Sequence, residues 1–148
     1  MAPGIGVVLE SSQMTGRDGG ETPVRVVIVS RRSDVRRGLE IRLALECDMA
    51  VVGSAASVET ALHRLRGLQP EVLLVDLDAG PELSERAVGL ARAAVAGLRV
   101  VLLTHHPEAW PGSRLAGFGA DEVVNKEPAA GELIASIRRC GDPTQGFV

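Results

Sequence analysis

Pro70-Glu71-Val72-Leu73-Leu74-Val75-Asp76 is the stretch on which the fold turns: four apolar residues in succession, preceded by a proline and closed by a carboxylate. An unbroken apolar run of this length suits a strand buried on both faces, as in a parallel sheet covered by helices. A carboxylate ending such a strand needs water or a partner, so Asp76 marks the place where a site opens. Two later runs repeat the arrangement, one ending at Thr104 and one leading into Lys126.

Working outward, runs rich in Val, Ile and Leu predict strands over 24–29, 50–55, 72–77, 100–103 and 122–124. Helical spacing predicts helices over 35–45, 58–68, 83–95 and 129–139, with a weaker segment over 109–118. Ser57 and Ser84 stand where helix caps belong. Pro107 is tolerable near the start of the fourth helix, whereas Pro111-Gly112 falls inside it and should break or delay it. Five βα units with right-handed crossovers give an α/β doubly wound, five-stranded parallel sheet, flavodoxin-like in topology. Its crevice lies at the strand carboxyl ends, which brings Asp76, Thr104 and Lys126 together.

A chain of 148 residues, 45% apolar, is sized for one core, expected over 24–140. Residues 1–23 read as a flexible tail, with an extended exception over 5–9, and 141–148 as a short tail with no output domain. A formal charge of −3 argues against a broadly basic nucleic-acid surface. Cys47 and Cys140 lack metal-ligand spacing, and neither a signal peptide nor a membrane-length apolar run is visible. The expectation is a soluble, cytoplasmic protein that binds no DNA directly.

The chain resembles a bacterial response-regulator receiver domain, in particular the subfamily that usually precedes a helix-turn-helix output domain. The resemblance covers roughly residues 24 to 140. It rests on Val26-Val27-Ile28-Val29, Val35-Arg36-Arg37-Gly38-Leu39, Val51-Val52-Gly53-Ser54-Ala55-Ala56, Pro70 to Asp76, Val101-Leu102-Leu103-Thr104 and Gly119-Ala120-Asp121, in the family's order and intervals. It implies that Asp76 is the phosphoacceptor position, Thr104 the switch hydroxyl and Lys126 the ammonium that pairs with the phosphoryl group. Those residue types suit phosphoryl chemistry: a carboxylate attacks, a lysine neutralises charge, and a hydroxyl follows the new oxygens.

The departures from the family are specific. Two adjacent acids normally follow the first strand and help hold magnesium; here the positions are Ser30 and Arg31. A hydroxyl and a cation replace two carboxylates, so magnesium binding should be weak or absent, and no cofactor is expected. One hypothesis places the Arg31 guanidinium where the ion would be, paired with Asp76; the alternative points Arg31 into solvent. Asp78 is a weak candidate for a substitute metal ligand, or else a solvent-facing loop acid. The family's switch aromatic is replaced by Val123, which cannot perform an aromatic rotation.

Other features read more plainly. Adjacent His105-His106 is a poor metal or acid-base pair, and Trp110, the single tryptophan, reads as packing rather than an interface anchor. Arginines 31, 32, 36, 37 and 42 interleave with Asp34 and Glu40 as a solvated helix face. Leu133, Ile134 and Ile137 read as core positions, with homodimerisation left open. The expected function is a stand-alone atypical (pseudo-)receiver: a protein-interaction module of bacterial signal transduction, not an enzyme, independent of magnesium-dependent phosphorylation. A histidine kinase or another regulator is the expected partner. The alternative is a working phosphoacceptor or phosphoryl shuttle that uses Asp76.

Overall fold

Strands β1 (Val24–Val29), β2 (Met49–Ala55), β3 (Val72–Asp76), β4 (Arg99–Thr104) and β5 (Glu122–Asn125) lie parallel in one sheet, in the order β2-β1-β3-β4-β5. Between and after them run α1 (Ser33–Ala44), α2 (Val58–Leu68), α3 (Glu85–Ala94), a 3-10 turn (Pro107–Ala109), α4 (Gly112–Phe118) and α5 (Ala130–Gly141). This computed structural model describes residues 22–78, 83–126 and 130–141. The expectations for both chain ends, and for the loop beyond Asp78, fall largely or wholly outside the described residues.

Strand periodicity divides the core into two layers. Val27, Val29, Leu73, Val75, Val100 and Leu102 face α2 and α3, together with Ala61, Leu65, Val88 and Ala91. Their sequence neighbours Val26, Ile28, Val72, Leu74, Val101 and Leu103 face the opposite layer, with Leu43 of α1 and Leu133, Ile134 and Ile137 of α5. Successive residues point to opposite faces, so strands covered on both sides must be apolar at every position, as the sequence pattern required. The α5 residues are therefore spent on the domain's own core.

Both predicted caps form: Ser57 Oγ accepts from the Thr60 amide at 3.0 Å and Ser84 Oγ from the Ala87 amide at 3.1 Å. The fourth helix is interrupted as Pro111-Gly112 predicts. A 3-10 turn comes first, and α4 starts only at Gly112 and ends on Gly119 at φ +76°. The α1 helix begins at Ser33, two residues before its apolar periodicity, with Asp34 in the first turn facing the helix dipole. Arg32 pairs with Asp34 and Arg42 with Glu46, which fits the reading of a solvated charged face.

Gly141, at the end of α5, packs on β1 so closely that an added Cβ would collide with both methyls of Val24. Val24 is buried and β-branched, with little room to yield. Gly141→Leu should therefore lower unfolding stability by about 1–3 kcal/mol in urea melts, the range for overpacking. Another tie fixes the same helix: Arg138 bonds Glu46 at 2.8 Å and Asp48 at 2.6 Å, joining α5 to the α1–β2 loop.

The Arg42 and Arg138 guanidiniums hold the Glu46 carboxyl below the usual glutamate range. A lowered carboxyl contributes stability above the ordinary glutamate range, and that contribution is lost as pH falls through the lowered value. Thermal melts should thus show a loss below the ordinary range that is shallower in Arg138→Ala. Cys47 is exposed and Cys140 buried, so the two thiols do not pair. Burial pushes the Cys140 thiol up to about 12, which keeps it protonated and inert.

Candidate functional site

Val29 of β1 pairs with Val75 of β3, so the next residues, Ser30 and Asp76, stand side by side at the carboxyl end of the sheet. On the other flank, Thr104 ends β4 opposite Asn125, and the Lys126 amide bonds the Thr104 carbonyl at 2.9 Å. Topology alone thus collects Asp76, Thr104 and Lys126 at one edge, as the sequence predicted.

The Asp76 side chain is fully covered, with 0% of its surface exposed. Its Oδ1 accepts from Lys126 Nζ at 2.7 Å and from the Asp78 amide at 3.1 Å. Its Oδ2 accepts from Ser30 Oγ at 2.8 Å. Three donors, one of them cationic, satisfy a carboxylate that burial would otherwise penalise. Ser30 is itself buried and fully engaged: its amide bonds the Ala55 carbonyl, its hydroxyl accepts from the Arg32 amide at 3.2 Å, and its carbonyl takes Arg36 Nη1 at 2.7 Å.

Asp78 forms the second half of the site. Its Oδ1 accepts the Thr104 hydroxyl at 3.0 Å and its Oδ2 the His105 amide at 2.8 Å, while Lys126 Nζ lies 3.7 Å from Oδ2. Thr104 Oγ1 in turn accepts the His106 amide at 3.0 Å. One lysine therefore serves two acids, and the Thr104 hydroxyl is committed to Asp78 instead of Asp76. Beside Asp76 opens a cleft of about 330 Å³, bordered by Arg31, Ser57, Glu59, Leu83 and Ser84.

Of the two arrangements the sequence left open for Arg31, the pair with Asp76 does not form: Arg31 is exposed on the cleft, and the ammonium of Lys126 with the Ser30 hydroxyl stands beside Asp76 instead. Strand order explains this, because β1 adjoins β3 and sets position 30, not 31, next to Asp76. Asp78 is not a free loop acid either, since it binds Thr104 and His105. The Ser30 donor was missed, although the order β2-β1-β3 of a doubly wound sheet places it beside Asp76.

Val123 is half-buried and packs against the α2–α3 layer. Trp110 is buried, as its packing interpretation required, and belongs to the same layer. Among the described residues, no group of three or more His, Cys, Asp or Glu side chains is placed to hold a metal, His105 and His106 included.

A parallel sheet of this order, with aspartate, threonine and lysine gathered at its carboxyl edge, matches the flavodoxin-like receiver fold. The chain is similar to the response regulator VraR of Staphylococcus saprophyticus, 26% identical over 117 residues, which cover 79% of this chain and 56% of that protein. The chain thus spans just over half the length of that relative. No family model matches it.

Among solved structures, a LuxR-family two-component response regulator from Aurantimonas sp. superposes with a TM-score of 0.68 at 24% identity, over 79% of this chain and 84% of that one. A chain from the R. sphaeroides complex of CheY6 with the P1 domain of CheA3 superposes at 0.67 and 22% identity, over 80% and 96%. These structural likenesses establish the fold.

Proposed function

We propose that this receiver domain is a protein-interaction module whose state is set by a signalling partner, without magnesium-dependent phosphorylation of Asp76. The observation that carries this reading is the donor set on Asp76: Ser30, Lys126 and the Asp78 amide engage both carboxylate oxygens. Attack on a phosphoryl donor would have to proceed from an oxygen that already accepts one of these bonds.

The donor set also suits magnesium poorly. The ion takes oxygen ligands at about 2.0–2.1 Å and favours carboxylates. Where the family has two acids, this chain offers a hydroxyl already donating to Asp76 and an exposed guanidinium. The remaining acid, Asp78, has an ammonium 3.7 Å away. On this reading no metal is required, and the domain carries out no substrate chemistry of its own.

The partner is a signalling protein, with a histidine kinase or another regulator the leading class; the likeness to the chain solved with a CheA3 domain supports this. A homodimer would need a surface other than Leu133, Ile134 and Ile137, which are buried in the domain core. Among the described residues no helix is long and apolar enough to cross a membrane. A cytoplasmic site of action belongs to the same proposal.

The test is an amide NMR titration with magnesium and then beryllofluoride, following Asp76, Thr104 and Lys126 against an Asp76→Asn control. The expected outcome is no saturable, Asp76-dependent shift in a folded sample. Such shifts would instead establish the second reading, a phosphoacceptor or shuttle, which the assembled Asp76, Thr104 and Lys126 favour.

A further inference from the structure

The two edges of the sheet are finished differently. β5 is four residues long and carries Glu122, whose carboxylate is bound by Ser136 and Arg139. β2 runs for seven residues, Met49 to Ala55, with neither a charge nor a proline. Its five central residues are only half-buried, whereas β3, in mid-sheet, is buried at every position. Val51 packs partly into the α1 layer and Val52 partly into the α2 layer, so apolar side chains stand half-open on both faces of one edge.

Natural sheets close such an edge with charge, proline, a bulge or a covering segment, because its amides and carbonyls pair with other extended chains. Here Val52 bulges from the β1 register, and Arg64 Nη1 takes the Ser54 carbonyl at 3.3 Å. Both devices guard the half of β2 nearer its carboxyl end. From Ala50 to Val52, no strand lies on the outer side among the described residues.

We propose that Ile5-Gly6-Val7-Val8-Leu9, the apolar run near the start of this chain, occupies that edge as a sixth strand antiparallel to β2. The inference goes beyond the reading of Asp76 and does not depend on how that residue is used.

Position, length and chemistry favour this occupant. The described chain starts at Thr22, and Val24 pairs with Met49, so the preceding residues leave the domain at the foot of β1, one strand in from the open edge. A strand outside β2 lies two strand spacings from β1, about 10 Å. Residues 10–23 form the link, with Ser11, Ser12, Gly16, Gly19 and Gly20 among them. A link of that length reaches about 46 Å when extended and about 20 Å on average as a coil. An antiparallel strand ends at the foot of β2, so the link has only the short gap to close.

Strand alternation puts Ile5, Val7 and Leu9 on one face and Gly6 and Val8 on the other. The larger set extends the layer that holds Val51 and Leu39. The smaller set meets the more crowded side, where a Cβ on Gly53 would lie 2.9 Å from Leu68 and 3.2 Å from Arg64. Tethering keeps the segment at an effective concentration on the order of millimolar, which a second copy of the domain matches only in concentrated solution.

Hydrogen exchange of the full chain, read amide by amide by NMR, tests this directly. The amides of residues 5–9, and those of β2 that point away from β1, should exchange at least about tenfold more slowly than in an unstructured chain. That protection should not change on dilution. Val7→Pro removes one amide and fixes φ, and should return both sets to fast exchange while β3 and β4 stay protected.

Exchange of residues 5–9 at unstructured-chain rates would overturn the proposal. So would β2 protection that rises with protein concentration, which would assign the edge to a second copy. A Val7→Pro protein that frees residues 5–9 but leaves β2 unaltered would place the segment elsewhere and overturn it equally. Neither magnesium nor beryllofluoride enters, so failure here and failure of the titration of the Asp76 site are separate results.

Discussion

Lys126→Met should cost about 3 kcal/mol of unfolding stability at neutral pH, the low end of the range for stripping a counter-charge from a buried ion. Asp76 keeps no exposed side-chain surface, and Lys126 is its only cationic partner among the described residues. Methionine preserves the aliphatic stem but not the ammonium, leaving the carboxylate with Ser30 Oγ and one backbone amide. The low end is chosen because Lys126 retains 19% exposure, so water can partly replace it.

Combining Lys126→Met with Asp76→Asn should recover most of the loss, because the amide has no charge to strand. A double-mutant cycle in urea should return a coupling of about 2 kcal/mol. A coupling near zero would mean that the pair contributes nothing beyond its separate contacts.

Ser30→Asp with Arg31→Asp should create a magnesium site stronger than any the natural chain offers. By Coulomb's law at an effective dielectric of about 20, a carboxylate about 5 Å from a dication gains about 7 kcal/mol before desolvation. Keeping even a quarter of that corresponds to about tenfold in affinity per acid. Isothermal titration of the folded double variant should show saturable magnesium binding, and the wild type none under the same conditions. A folded variant that still ignores magnesium would show that the pocket fails for a reason beyond the missing acids.

The parts of this molecule that were legible in its sequence are those governed by local rules. Runs rich in Val, Ile and Leu marked the five strands, Ser57 and Ser84 marked helix starts, and Pro111-Gly112 marked the late start of α4. Convergence of Asp76, Thr104 and Lys126 followed from topology. What escaped was pairwise geometry across the sheet. Nothing about Arg31 in isolation distinguishes a guanidinium turned inward from one turned to the cleft; the register of β1 on β3 decides it, by placing Ser30 beside Asp76.

Likewise, Asp78 looked like an ordinary loop acid because its partners, Thr104 and His105, arrive from the next strand.

The sheet order carries a consequence for biosynthesis. Asp76 emerges from the ribosome 50 positions before Lys126, the residue that neutralises it. Until β5 reaches the edge of β4, a nascent chain holds that carboxylate without its ammonium, and closure of the sheet and completion of the site become a single event. A ribosome-bound or truncated chain ending before residue 122 would therefore lack both its final strand and the counter-ion at its centre, and quality-control proteases would meet the two defects together.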